Sequence, residues 1–264
     1  MAAAFGEVRP RYVMAYVEGG CVGEPPPGTG VDTTFATSAS DCLICIVGLA
    51  AASCLLVSHT KAACLNKILG AHFFVWTGLG YGLAGILHHF LHDDREHQMY
   101  VNVWKVSYTL TLAGIGALGL LVNRLLLIKH PHLSEMCLNG ALLAIVGLDI
   151  LYTLLAANMM VTGVCLGLVT VWALIVWALW GSCGKVVATA ILIAGLLLQV
   201  LLESRCGEGG YSECWKDCPL PAPYFNHNAL FHVSYAVGIT ILGFLLVSDP
   251  EVVGDGQQLL IAQP

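Results

Sequence analysis

Histidine, asparagine and acidic side chains cluster at two places in an otherwise apolar chain. The stretch "GILHHFLHDD" carries His88, His89, His92, Asp93 and Asp94, and "NHNALFH" carries His227, Asn228 and His232. On a helix, His88 and His92 lie about 40° apart and share a face. Asn228 and His232 share one in the same way, whereas His227 is about 140° from His232 and is expected to face elsewhere or lie in a loop. Two imidazoles spaced four residues apart can bind one zinc ion. His232 would supply a third ligand, leaving a fourth position for water. Asp93, Asp94 or Asp149 could orient a ligand or accept a proton, as catalytic carboxylates do. The metal set expected from the sequence is therefore His88, His92 and His232. His89, Lys105, Asn228 and Glu203 are expected around it as pocket residues.

The elements that must position these groups are membrane helices. Of 264 residues, 57% are hydrophobic and 11% charged. A soluble domain is about a quarter charged. Seven apolar spans can be drawn: Cys42–Ser58, Ile68–Leu91, Val103–Ile128, Cys137–Ala156, Val164–Trp180, Val186–Glu203 and Asn228–Val247. Each is long enough to cross a hydrocarbon core, which takes about 17–25 residues. The expected fold is all-α, a bundle of seven transmembrane helices. Residues 1–41 read as an irregular exoplasmic tail, 42–247 as the membrane domain and 248–264 as a short cytosolic tail. No apolar stretch precedes Cys42, so a cleaved signal peptide is not expected.

Lys61, Lys67, Arg124, Lys129 and Lys185 fall in loops one, three and five, against Arg95, Arg205 and Lys216 in loops two, four and six. This bias places the N-terminus outside and the C-terminus in the cytosol. Cys21, Cys206, Cys214 and Cys218 then lie on the exoplasmic side, where disulfides persist. Two bridges are expected among them, with their connectivity open. The chain is expected to be a multi-pass protein of the plasma membrane or a secretory-pathway membrane. Its expected partners are membrane lipid and a small lipid-like ligand. The net charge of −6 speaks against nucleic acid, and no phosphate-binding glycine motif is present.

With that orientation the polar groups gather in the outer half. Lys105, Ser107 and Tyr108 open span three, Gln199 and Glu203 end span six, and Asp149 interrupts the apolar run of span four. Their convergence from several helices suggests an exoplasmic pocket. Lys105 can also snorkel to the interface. Asp149 has a plainer reading as a helix-packing acid, and His72, alone in span two, reads as an interhelical hydrogen-bond partner.

This layout resembles the superfamily of alkaline ceramidases, adiponectin-type receptors and related seven-helix hydrolases. In that family zinc is held by a histidine near the end of helix two and a His-x-x-x-His pair opening helix seven. A serine one turn before the first histidine and an aspartate shortly after it complete the motif. The resemblance maps His88 or His89 onto the helix-two histidine, His232 onto the second histidine of the pair, and Asp93 or Asp94 onto the acid. It implies a zinc-dependent hydrolase of lipid amides or esters. The motif is incomplete: Asn228 stands where the pair's first histidine belongs, and Ala84 and Gly85 where the serine does. Asparagine is a weak zinc ligand, so His92 or His227 would have to replace it. Without a metal, the same pocket would serve a non-enzymatic receptor, sensor or transporter. A retinal protein is disfavoured, because span seven has no lysine.

Overall fold

The computed structural model describes residues 35–58, 65–90, 98–156, 159–206, 220 and 227–248. They form seven helices: α1 Phe35–Val57, α2 Leu65–Phe90, α3 Gln98–Lys129, α4 Glu135–Ala156, α5 Met159–Trp180, α6 Cys183–Cys206 and α7 His227–Ser248. Six of them, all but α2, are long and apolar enough to cross a membrane. The chain is a multi-pass helical membrane protein. α2 is diluted by His72, Trp76, Tyr81 and five glycines, and it packs along α1 and α3.

α1 begins at Phe35, so residues 35–41 belong to a helix and not to the tail expected through residue 41. The reason is periodicity. Ile44, Gly48, Ala52 and Leu55 form the buried stripe of α1, and Thr37, Ser38 and Asp41 continue it at the same three-to-four-residue spacing. Polar side chains on that stripe ended the apolar run in the sequence, but the helix runs on through them.

Six helices close in the order α1, α2, α3, α5, α6, α7, with α7 returning to α1. α4 stands outside this ring and packs only on α3 and α5. Short turns set the connections at one end. Ser134 caps α4, its Oγ accepting the Cys137 amide at 3.3 Å. Gly181 closes α5 by donating to the Trp177 carbonyl at 2.8 Å.

Small residues let α1 and α2 approach closely, as expected where helices associate in lipid by packing. A Cβ on Gly48 would sit 2.7 Å from the Phe74 carbonyl oxygen, and one on Gly82 2.8 Å from Cys45 Sγ. At the end of this seam a Cβ on Gly85 would lie 3.0 Å from Asp41 Cβ and 3.1 Å from the Ser38 carbonyl oxygen. Ser38 Oγ donates to the Gly85 carbonyl across the gap at 3.0 Å. The seam therefore fixes where Asp41 stands.

Candidate functional site

Three helix ends meet where α1 begins, α2 ends and α7 begins. Asp41 of α1 is fully buried there, with His88 of α2 and His232 of α7 on either side. His232 Nδ1 lies 3.2 Å from Asp41 Oδ1, and His88 Nε2 lies 3.9 Å from Asp41 Oδ2. Ser40 adds its hydroxyl, 3.3 Å from His232 Nδ1. That hydroxyl already donates to the Thr37 carbonyl at 2.8 Å, so its oxygen faces the imidazole as an acceptor.

A carboxylate oxygen at 3.2 Å and a hydroxyl at 3.3 Å both face His232 Nδ1; a proton on Nδ1 would leave the lone pair on Nε2. This is the arrangement found where a carboxylate orients a metal-binding histidine. At 3.9 Å the His88–Asp41 contact is too long for a hydrogen bond and acts through the field of the charge.

Aromatic side chains wall the centre. The edge of His88 meets Trp104 with centroids 5.4 Å apart, and Trp104 lies 4.9 Å from Tyr108. Tyr81 packs against His232 at 5.4 Å and against Tyr235 at 5.2 Å. Leu87 and Tyr100 extend the wall on the α2–α3 side. Gln199 of α6 donates to Asn228 Oδ1, which ties α7 to α6 one turn before His232.

The sequence-derived residues divide into three groups. His88 and His232 flank one carboxylate, and Asn228 is buried on α7 one turn before His232, bonded to Gln199. His92, Asp93 and Asp94 lie outside the described residues, as do Cys21, Cys214 and Cys218; the side chains of His89, Glu203 and Cys206 lie outside them too. Asp149 is not at this centre. It sits on α4, which does not touch α1, α2 or α7, and its carboxylate faces the Cys165 thiol of α5. Lys105 is half-buried on α3. Ser107 is spent on packing, donating to the Gly80 carbonyl at 2.7 Å.

Other expectations need correcting. His227 is not in a loop but is fully buried as the first residue of α7. α1 packs on both α2 and α7, which touch each other far less. The third member of the centre therefore comes from α1. Asp41 and Ser40 are the residues that sequence reasoning missed, and the phase of the α1 stripe was the signal for Asp41. The polar pocket expected here is not seen among the described residues, whose converging side chains are buried.

Zinc can be tested against this donor set. In kind it fits: two imidazoles, both beside a carboxylate. In number, no three His, Cys, Asp or Glu side chains among the described residues are grouped so as to hold a metal ion. A third ligand would have to come from outside the described side chains, where His89, His92, Asp93 and Asp94 lie. No family model matches the chain, no curated protein is detectably similar to it and no solved structure matches it.

Proposed function

We propose that the chain is a zinc-dependent membrane hydrolase acting on a lipid amide or ester, with all seven helices crossing the bilayer and the Asp41 centre near the exoplasmic face. One observation carries the reading: a buried carboxylate stands between two imidazoles brought from α2 and α7. A buried polar cluster is costly in hydrocarbon and marks a functional site by default. Glycine at position 85 is what admits Asp41.

Zinc, when bound, supplies Lewis-acid activation of a carbonyl group. The chain's own residues do the rest. Asp41 and Ser40 face the His232 ring at Nδ1. Trp104, Tyr108, Tyr81 and Tyr235 exclude water, which strengthens the field of Asp41 at both imidazoles. A second reading, a non-enzymatic receptor, sensor or transporter, draws support from Asn228 in place of a histidine.

Metal analysis of the purified protein, with turnover of a fluorogenic lipid amide and a lipid ester, tests the proposal. The expected result is near-stoichiometric zinc, lost in His232→Ala together with turnover while the thermal transition persists. Full-length protein that carries no zinc and hydrolyses neither substrate would leave the receptor or transporter reading.

A further inference from the structure

The aromatic wall of the Asp41 centre holds a polar group that no side chain of the bundle answers. Trp104 of α3 is 8% exposed, and its Nε1 is buried with no hydrogen-bond partner among the described residues. An indole N–H is a donor only, so nothing but an acceptor can satisfy it. Buried tryptophans usually find one, and leaving the bond unmade is costly. The side chains clustered with it, Ala84, Leu87, Tyr100, Val103 and Tyr108, bring no acceptor within reach of Nε1. Trp172 shows the usual outcome at the other end of the bundle, where its N–H donates to Asn123 at 2.9 Å.

The position of this donor ties it to the centre. At about 1.5 Å per residue, Trp104, Asp41 and His232 stand about 9, 9 and 8 Å along their helices from the first residues of α3, α1 and α7. The Trp104 ring abuts His88 with centroids 5.4 Å apart and planes 86° apart. His88 in turn lies 3.9 Å from the Asp41 carboxylate. An unpartnered donor beside an imidazole of the candidate metal set has the chemistry of an oxyanion hole. It is unsatisfied until the oxygen of a polarised carbonyl group arrives, and its bond strengthens as that oxygen gains negative charge.

We propose that the Trp104 N–H binds the carbonyl oxygen of the substrate and stabilises the charge that develops on it. The inference rests on the hydrolase reading and adds to it a catalytic residue from α3. Lipid amides and esters both carry such an oxygen, whereas a cationic headgroup offers no acceptor. In the step it serves, the oxygen of water bonds to the carbonyl carbon and the C=O π pair moves onto the carbonyl oxygen. The pair returns as the C–N or C–O bond to the leaving group breaks, and a proton of the water ends on the leaving amine or alcohol. Trp104 neither gives nor takes a proton; it donates a hydrogen bond throughout.

The test uses full-length protein in phosphatidylcholine nanodiscs, its tryptophans labelled with nitrogen-15, and a long-chain trifluoromethyl ketone as the carbonyl probe. The ketone should move the Trp104 indole N–H resonance, identified by its loss in Trp104→Phe, to the position of a hydrogen-bonded N–H. The Trp172 resonance, already bonded to Asn123, should stay where it is. Benzothienylalanine at position 104 replaces the N–H by sulfur and keeps the shape of the ring, so the thermal transition and zinc content should be those of wild type. It should lower kcat by about 100-fold or more with little change in KM, as loss of one donor that acts in the transition state does. Zinc and turnover both retained in that variant overturn the proposal and leave the hydrolase reading standing. A wild type with neither zinc nor turnover overturns the hydrolase reading and this one with it. A Trp104 resonance that the ketone does not move also overturns the proposal. So does one already in the bonded position before the ketone is added, which assigns the N–H to water or a lipid phosphate.

Discussion

The two ends of the bundle bury polar side chains in different ways. At the end opposite the Asp41 centre, Trp172 of α5 donates its indole N–H to Asn123 of α3 at 2.9 Å. Asn123 donates to Asn139 of α4 at 3.1 Å, and Asn139 reaches Glu135 at the exposed rim at 3.4 Å. This is a chain of mostly neutral groups, each donor matched to an acceptor, and it fastens α4 to α3 and α5. At the Asp41 end the groups are titratable, and their separations of 3.2, 3.3 and 3.9 Å are longer than the roughly 2.7–2.9 Å of a charge-assisted hydrogen bond. Neutral hydrogen bonds hold helices together at modest gain. A carboxylate between two histidines is a poor adhesive and a good way to place lone pairs and protons.

The largest effect should come from the seam that creates the centre. Gly85→Val would drive a side chain into Asp41 Cβ and the Ser38 carbonyl. Overpacking of this kind costs about 1–3 kcal/mol, and the displacement of α1 should also abolish zinc binding and turnover. A Gly85→Val protein that kept both would show that α1 does not position the site. Asp41→Asn comes next. It preserves shape, so the thermal transition should barely move, while zinc affinity should fall about 10- to 100-fold, as for other residues that orient metal-binding histidines. Zinc affinity unchanged by Asp41→Asn would return Asp41 to the class of packing groups.

What could be read from the sequence follows from these geometries. The membrane helices were legible because hydrocarbon demands long apolar runs, and no tertiary knowledge is needed to see them. His88 and His232 were legible as polar groups at one depth, given alternating spans. Asp41 was not, because it lies before the apolar run in "TSASDCLICI" and reads as the end of a soluble tail. Its inclusion depends on α1 continuing backward and on glycine at position 85, a pairwise fact between two helices. Asp149 misled for the opposite reason. An acid amid apolar residues is conspicuous in sequence, yet the side of the bundle on which α4 stands is decided by packing alone.

The glue end offers the next test. Asn123→Leu removes the hinge of the three-helix chain and strands the Trp172 indole N–H. Membrane hydrogen bonds are worth about 0.6 kcal/mol on average and up to about 1.7, so unfolding in detergent should become easier by about that range. Zinc content and turnover should be those of the wild type. A tenfold fall in turnover from Asn123→Leu in folded protein would mean that the two ends are coupled.

The smallest effect is expected at Asp149, and it sharpens the comparison most. Asp149 is 5% exposed, a buried acid in an apolar span, so on polarity alone it ranks with Asp41. Its surroundings differ in kind. It faces the Cys165 thiol, and one turn along the same α4–α5 seam Thr153 and Thr162 pair at 3.4 Å. No imidazole of the Asp41 centre belongs to a helix that α4 touches. Asp149→Asn keeps the shape and can still meet the thiol. It should therefore change stability by no more than about 0.6 kcal/mol in either direction and leave zinc content and turnover alone. Asp41→Asn, the same chemical change about equally deep in protein, should do the reverse. If instead Asp149→Asn emptied the metal site, burial of an acid would be the better guide to function, and the distinction between the two carboxylates by their partners would fail.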